Sequence, residues 1–226
     1  MNRHLTRDMS SIERHILEIG GLVEMSIQKA IASLASQRPE LAHDVLALDH
    51  AIDDMEVEIE ENCLKLLALH QPVATDLRFI VASIKVNSTL ERMGDLACNI
   101  ARSSMRLAEM PNPIPRPELT SMAEQVRSMV ADCLKALVNL DANLARVVIA
   151  RDDVIDAANE RIINELTANL LANPQNSQQN IELMMSSRHL ERIADQATNI
   201  AEDVVFMVEG EIIRHQHIKL EVVSDN

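Results

Sequence analysis

Acidic residues recur in this sequence in pairs, with an aspartate four positions after another acidic residue. On a helix, side chains four residues apart share one face, with Cβ atoms about 5 to 6 Å apart, so two negative charges repel each other. A bound cation would relieve that repulsion, and oxygen ligands suit hard ions such as magnesium, manganese, calcium or iron. The pairs, which are candidate metal ligands, are Asp49 with Asp53, Glu91 with Asp95, Asp152 with Asp156, and Glu191 with Asp195.

Two asparagines extend these acidic faces. Asn99 follows Asp95 by one more helical step, and Asn199 follows Asp195 in the same way. Glu202 returns to the same face, whereas a basic residue, Arg102, stands at its counterpart. This difference predicts unequal sites in the two parts of the chain.

The apolar pattern indicates where the acidic faces point. At about 100° per residue, Met93 and Ile100 lie opposite Glu91 and Asp95, which predicts that the acids face solvent. If neighbouring helices carry the pairs, the carboxylates could meet across a surface groove. The alternative is a solvated acidic face in which each carboxylate pairs with a nearby Arg or Lys, and the sequence leaves it open.

The surrounding sequence is a tandem duplication. Residues 41–53 match 144–156, residues 90–95 match 190–195, and Asn99-Ile100-Ala101 matches Asn199-Ile200-Ala201. The segment 111–117 between the copies holds four of the seven prolines and predicts a linker. We therefore expect one bundle over residues 1–110 and a second over 118–226, which includes a short C-terminal tail.

Composition predicts an all-α fold. Hydrophobic residues make up 47% of the 226, aromatic residues only 1%, and four glycines leave long uninterrupted stretches. Apolar spacing near 3.6 residues predicts three helices in each half, which gives two tandem three-helix bundles. The expected helices span 8–37, 39–70, 75–108, 117–140, 143–172 and 177–209.

Charge and composition also argue against several classes of protein. The formal net charge of −14 disfavours a nucleic-acid surface, which needs clustered basic residues. No apolar run approaches the roughly 20 residues that span a bilayer, so membrane insertion is not expected. Three widely spaced cysteines suit a reducing cytoplasm and core packing. No phosphate-binding loop or partnered nucleophile is recognisable, which predicts a protein that is not an enzyme.

The third-helix motifs resemble those of the PhoU family. The resemblance is carried by residues 91–101 and their twin 191–202, by Pro72-Val73-Ala74-Thr75-Asp76-Leu77-Arg78, and by Val208-Glu209-Gly210-Glu211. It covers nearly the whole chain and implies two three-helix bundles related by pseudo-twofold symmetry.

The resemblance also implies a function. Such proteins are cytoplasmic, often dimeric adaptors between the phosphate ABC transporter, through its ATPase subunit, and a sensor histidine kinase. When phosphate is ample, they restrain uptake and hold the phosphate-starvation response off. Some carry iron or zinc clusters on the acidic motifs, and others bind magnesium or manganese. The ligands implied are the four acidic pairs, with Asn99, Asn199 and Glu202 as extras.

Two other interpretations compete with this adaptor. One is a di-metal carboxylate enzyme with redox or hydrolytic activity. Bundles of that kind carry Glu-x-x-His motifs, and we predict that this chain has none, since His189 precedes Glu191 in one repeat and Thr89 stands at that position in the other. The other is an acidic helical scaffold whose carboxylates only keep it soluble.

Overall fold

Every regular element of the protein is a helix over the residues that the computed structural model describes, 3–111 and 117–213. The helices are α1 (Arg3–Ser36), α2 (Pro39–His70), α3 (Ala74–Ala108), α4 (Pro117–Asn139), α5 (Ala142–Ile149), α6 (Asp152–Ala172) and α7 (Ser177–Glu209), with a 3₁₀ turn at Pro174–Asn176. The predicted all-α fold class is confirmed.

The first half is a bundle of three helices, and the second follows the same plan with its middle helix broken into α5 and α6. In the first, α1, α2 and α3 pack against one another, and in the second, α4 and α7 pack with α5 and α6. The apolar faces bury large side chains such as Ile19, Ile52 and Ile100 in the first half and Met129 and Ile155 in the second. Contacts between α3 and α7, and between α1 and α4, join the halves along one continuous core.

Local signals in the sequence place most helix ends correctly. Pro39 and Pro117 are the first residues of α2 and α4, where the missing N–H costs nothing. Left-handed residues follow several helices: φ is 53° at Gln37, 44° at Gln71 and 48° at Leu140. The first helix begins at Arg3 and not at residue 8, and the other predicted ends fall within one residue, apart from the break between α5 and α6.

The expected helix over 143–172 is wrong, because the chain breaks it into α5 and α6. At the break the backbone tightens, and the Arg151 N–H donates to the Val148 carbonyl at 3.0 Å. The Arg151 side chain reaches across to α4, donating to Asp132 Oδ2 at 2.6 Å and to Ser128 Oγ at 3.1 Å. The corresponding residue of the unbroken α2 is Leu48, which has no such head group.

Two predicted segments fall largely outside the described residues. Of the proline-rich linker, positions 112–116 are not described, and the C-terminal tail is not described from 214 onward. The domain limits therefore stay predictions. In the described ranges, no helix is both long enough and apolar enough to cross a bilayer.

Candidate metal centre

Three carboxylates from two helices of the second half converge. Asp156 on α6 and Glu191 and Asp195 on α7 each offer an oxygen that lies within 4.8 Å of the other two. Hard divalent ions bind oxygens at about 2.0 to 2.6 Å, so the three oxygens lie near the separation at which one ion could contact all of them. Glu191 and Asp195 are half-buried, while Asp156 is exposed toward solvent. This donor set fits a hard cation.

The electrostatics of this cluster favour the binding of a cation. Burial, followed by the charges of Glu191 and Asp156, raises the pKa of Asp195 to about 6, and Arg192 opposes that rise. Burial raises the pKa of Glu191 as well, with Asp156 and Asp152 adding to it. A cation between these groups would stabilise their charged forms.

Asp152 lies beside the cluster and is held by a neighbour on α7. The Thr198 hydroxyl donates to Asp152 Oδ1 at 3.2 Å. Burial, followed by the charges of Asp195 and Asp156, still raises the pKa of Asp152 to about 6. The fourth predicted acid of this half is therefore coupled electrostatically to the cluster, although it is not one of the three grouped donors.

The first half arranges the same acids less tightly. Burial raises the pKa of Asp53, and Asp49 and Asp95 add to the shift. Burial also raises the pKa of Glu91, with Asp95 and Asp53 contributing. All four acids are therefore neighbours, yet among the described residues no three of them bring ligand atoms as close as those of the second half. Their role as ligands stays a prediction.

The predicted extra ligands lie on the same faces. Arg102 Nη1 donates to Asn99 Oδ1 at 3.1 Å, so in the first half this amide oxygen already has a cationic partner. Asn199 and Glu202 are half-buried on α7, and Glu202 is not among the three carboxylates that converge. Their ligand role also stays a prediction.

Two residues at the sites were missed by sequence reasoning. Cys98 Sγ donates to Asp49 Oδ1 at 3.2 Å, as Thr198 does to Asp152 in the other half. The signal was present, because Cys98 and Thr198 occupy one repeat position, three residues after Asp95 and Asp195. Cys98 is buried as expected, but it also contacts the acidic face.

A histidine ligand set typical of di-iron bundles does not occur at the cluster. The three grouped donors are all carboxylates. The prediction that the chain has no Glu-x-x-His sequence is wrong, because one runs from Glu40 to His43, but both residues are exposed near the start of α2. The geometry therefore gives the interpretation as a di-metal carboxylate enzyme no support.

Comparison with known proteins agrees with the fold and the motifs. The family described as PhoU domain matches residues 16–104 and 119–204, one copy in each half. A phosphate-specific transport system accessory protein PhoU homolog from Aquifex aeolicus is 40% identical over 95% of this chain and 97% of its own length. The crystal structure of PhoU from Pseudomonas aeruginosa superposes with a TM-score of 0.89 at 35% identity, covering 91% of this chain and 99% of that one. PhoU from Streptococcus pneumoniae gives 0.85 at 31% identity, over 92% and 98% of the two chains. With two copies of the domain, full-length relatives and matching folds, this chain belongs to the PhoU family.

Proposed function

We propose that this protein is a non-enzymatic accessory regulator of phosphate transport that binds a metal ion through Asp156, Glu191 and Asp195. In this proposal it works in the cytoplasm, reaching the inner membrane only through partners, and links the phosphate ABC transporter ATPase to a sensor histidine kinase. It restrains uptake and holds the starvation response off while phosphate is ample. A homodimer is the proposed assembly.

The regulatory part is supported by the roles for which the relatives are named. The Aquifex aeolicus relative is a transport-system accessory protein, and the Streptococcus pneumoniae structure is of a phosphate transport system regulatory protein. The high identity over almost the whole chain supports carrying that role over to this one.

The metal part is supported by one observation, the three carboxylate oxygens within 4.8 Å of one another. All-oxygen donors favour magnesium or manganese, and iron and zinc are also accommodated by carboxylates. The ion would hold α6 against α7, because Asp156 comes from one helix and the other two donors from the next. Metal occupancy would thus stiffen the second bundle, which a partner could sense.

The test combines metal content with signalling. In the Glu191→Gln/Asp195→Asn variant, elemental analysis should show loss of bound metal, and a phosphate-starvation reporter should become active in ample phosphate. The matched control is Glu91→Gln/Asp95→Asn, the same change in the first half. Full metal content in the second-half variant would refute the site, and a silent reporter in a strain that lacks the protein would refute the regulatory role.

A further inference from the structure

Two ion pairs cross the interface between the halves, where α3 packs on α7. Arg106 donates from Nε to Glu182 Oε1 at 2.6 Å and from Nη2 to Oε2 at 2.8 Å. Lys85 Nζ lies 3.7 Å from Asp203 Oδ1 and 5.6 Å from the ring centroid of Phe206. The acids are nearly enclosed, with Glu182 8% and Asp203 3% exposed. The acids are therefore part of a packed interface, while the side chains of Lys85 and Arg106, 42% and 44% exposed, still reach solvent.

The pairs also define how the helices cross. Lys85 in the first half of α3 meets Asp203 near the end of α7, and Arg106 at the end of α3 meets Glu182 near the start of α7. The two helices therefore run antiparallel, with one ion pair toward each end of the interface. In both pairs α3 supplies the cation and α7 the anion.

The duplication does not repeat these charges. Aligning Glu91 with Glu191 pairs each interface residue with a counterpart in the other repeat. The counterparts of Lys85, Arg106, Glu182 and Asp203 are Met185, Phe206, Ala82 and Ser103, and all four are uncharged. The repeats thus share a packing surface but carry opposite charges on it.

This asymmetry distinguishes between possible pairings of halves. If two first halves packed in the same way, Lys85 of one would lie beside Arg106 of the other, without the acids. If two second halves did so, Glu182 would lie beside Asp203, without the cations. Glu182 and Asp203 are nearly enclosed and would be strongly destabilising without their partners. In either pairing of like halves, like charges brought together add repulsion.

We propose that these four charges make the α3 face of the first half specific for the α7 face of the second half, and its occupant in the native protein is the second half of the same chain. Like halves are excluded from pairing through this face. The interface is therefore a recognition surface whose partner is defined by charge, and it acts independently of any metal ion.

The test reverses the charges of one helix at a time in the full chain, either those on α3 or those on α7. One variant carries Lys85→Asp/Arg106→Glu, and a second carries Glu182→Arg/Asp203→Lys. Each alone should lose about 10 °C in Tm, because like charges then face each other across the interface and the two acid positions are nearly enclosed. Co-refolded together, with one chain isotope-labelled, they should form a one-to-one exchanged complex in native mass spectrometry and recover most of the lost Tm.

Two further chains keep the outcome decisive. A single chain with all four changes should regain the Tm without a second copy, and Lys65→Asp/Arg127→Glu, the same charge change at exposed pairs, should stay near the wild-type Tm. If the complementary chains fail to associate when co-refolded, or if the fourfold chain stays as unstable as the one-sided variants, the proposal is wrong. A one-sided variant that does not fold alone is still tested by the co-refolded mixture.

Discussion

The two halves hold their acidic faces with the same contact made by different atoms. Thr198 donates a hydroxyl to Asp152 in the second half, and Cys98 donates a thiol to Asp49 in the first, each at 3.2 Å. Beyond that contact the two halves differ. In the first half Arg102 donates a hydrogen bond to the amide oxygen of Asn99, while in the second half three carboxylates converge. One backbone plan thus supports two acidic faces whose side chains are arranged differently.

A second comparison concerns the ion pair between the first and second helices of each half, which both halves have but form from different positions. Lys29 on α1 binds Asp44 on α2 at 2.6 Å, and at the Lys29 position the second half has Asp132, which binds Arg151 at 2.6 Å. Both contacts join the first helix of a bundle to its second. The pairing residue of the second helix differs in its repeat position, however, since Arg151 aligns with Leu48 and not with Asp44. Arg151 also stands at the break between α5 and α6.

The largest expected effect concerns metal binding. Asp156→Asn replaces one of the three converging carboxylates with a neutral amide and should abolish most of the stabilisation by manganese or magnesium. For the wild type this should amount to a Tm increase of roughly 5 to 10 °C at about 100 times Kd. The repeat-matched Asp53→Asn should keep most of that increase. Equal losses in both variants, measured by thermal denaturation against metal concentration, would contradict the inequality of the halves.

The next effect is a pH dependence of the metal-free protein. The pKa values of Asp152 and Asp195 are about 6 in the fold against 3.8 ordinarily, so their contribution to stability is complete below 3.8 and is lost as pH rises through 6. Asp152→Asn/Asp195→Asn should remove roughly 2 kcal/mol of the change in unfolding free energy between pH 4 and 7.5, after allowance for solvent screening. Urea denaturation in a chelator at several pH values measures it, and parallel curves for variant and wild type would count against it.

A smaller effect is expected at the residue that holds Asp152. Thr198→Val removes the hydroxyl and should cost about 1 kcal/mol of unfolding free energy, because a half-buried carboxylate loses a donor. Thr198→Ser keeps the donor and serves as the control. Thr198→Cys copies the first half and should fall between them, since a thiol is a weaker donor. Urea denaturation that ranks the valine variant equal to the serine variant would show that the contact contributes little.

The smallest effect should come from the helix break. Arg151→Leu copies Leu48 and removes a partly exposed ion pair with Asp132, which should cost about 0.5 kcal/mol. If Arg151 causes the break, the backbone amide hydrogens at positions 151 and 154 should also exchange more slowly in the variant than in the wild type. Unchanged exchange would assign the break to the backbone packing of α5 and not to this side chain.

Local patterns in the sequence predicted much of the fold. Apolar periodicity and the prolines at 39 and 117 located the helices, because both act within a few residues of the chain. The break at Ala150–Arg151 escaped prediction because it coincides with contacts from Arg151 to Ser128 and Asp132 on another helix. Cys98 and Thr198 escaped for the same reason, since each acts through an aspartate from the preceding helix.

By itself the sequence determined the duplication, the helical class and which faces carry carboxylates, since a helix places side chains by a fixed angle per residue. Only the tertiary structure decided which carboxylates converge and how the halves are matched. The oxygens of Asp156, Glu191 and Asp195 come within 4.8 Å because α6 and α7 pack side by side. Arg106 and Glu182 form an ion pair only because α3 packs against α7. No local pattern in the sequence specifies the distance between two helices.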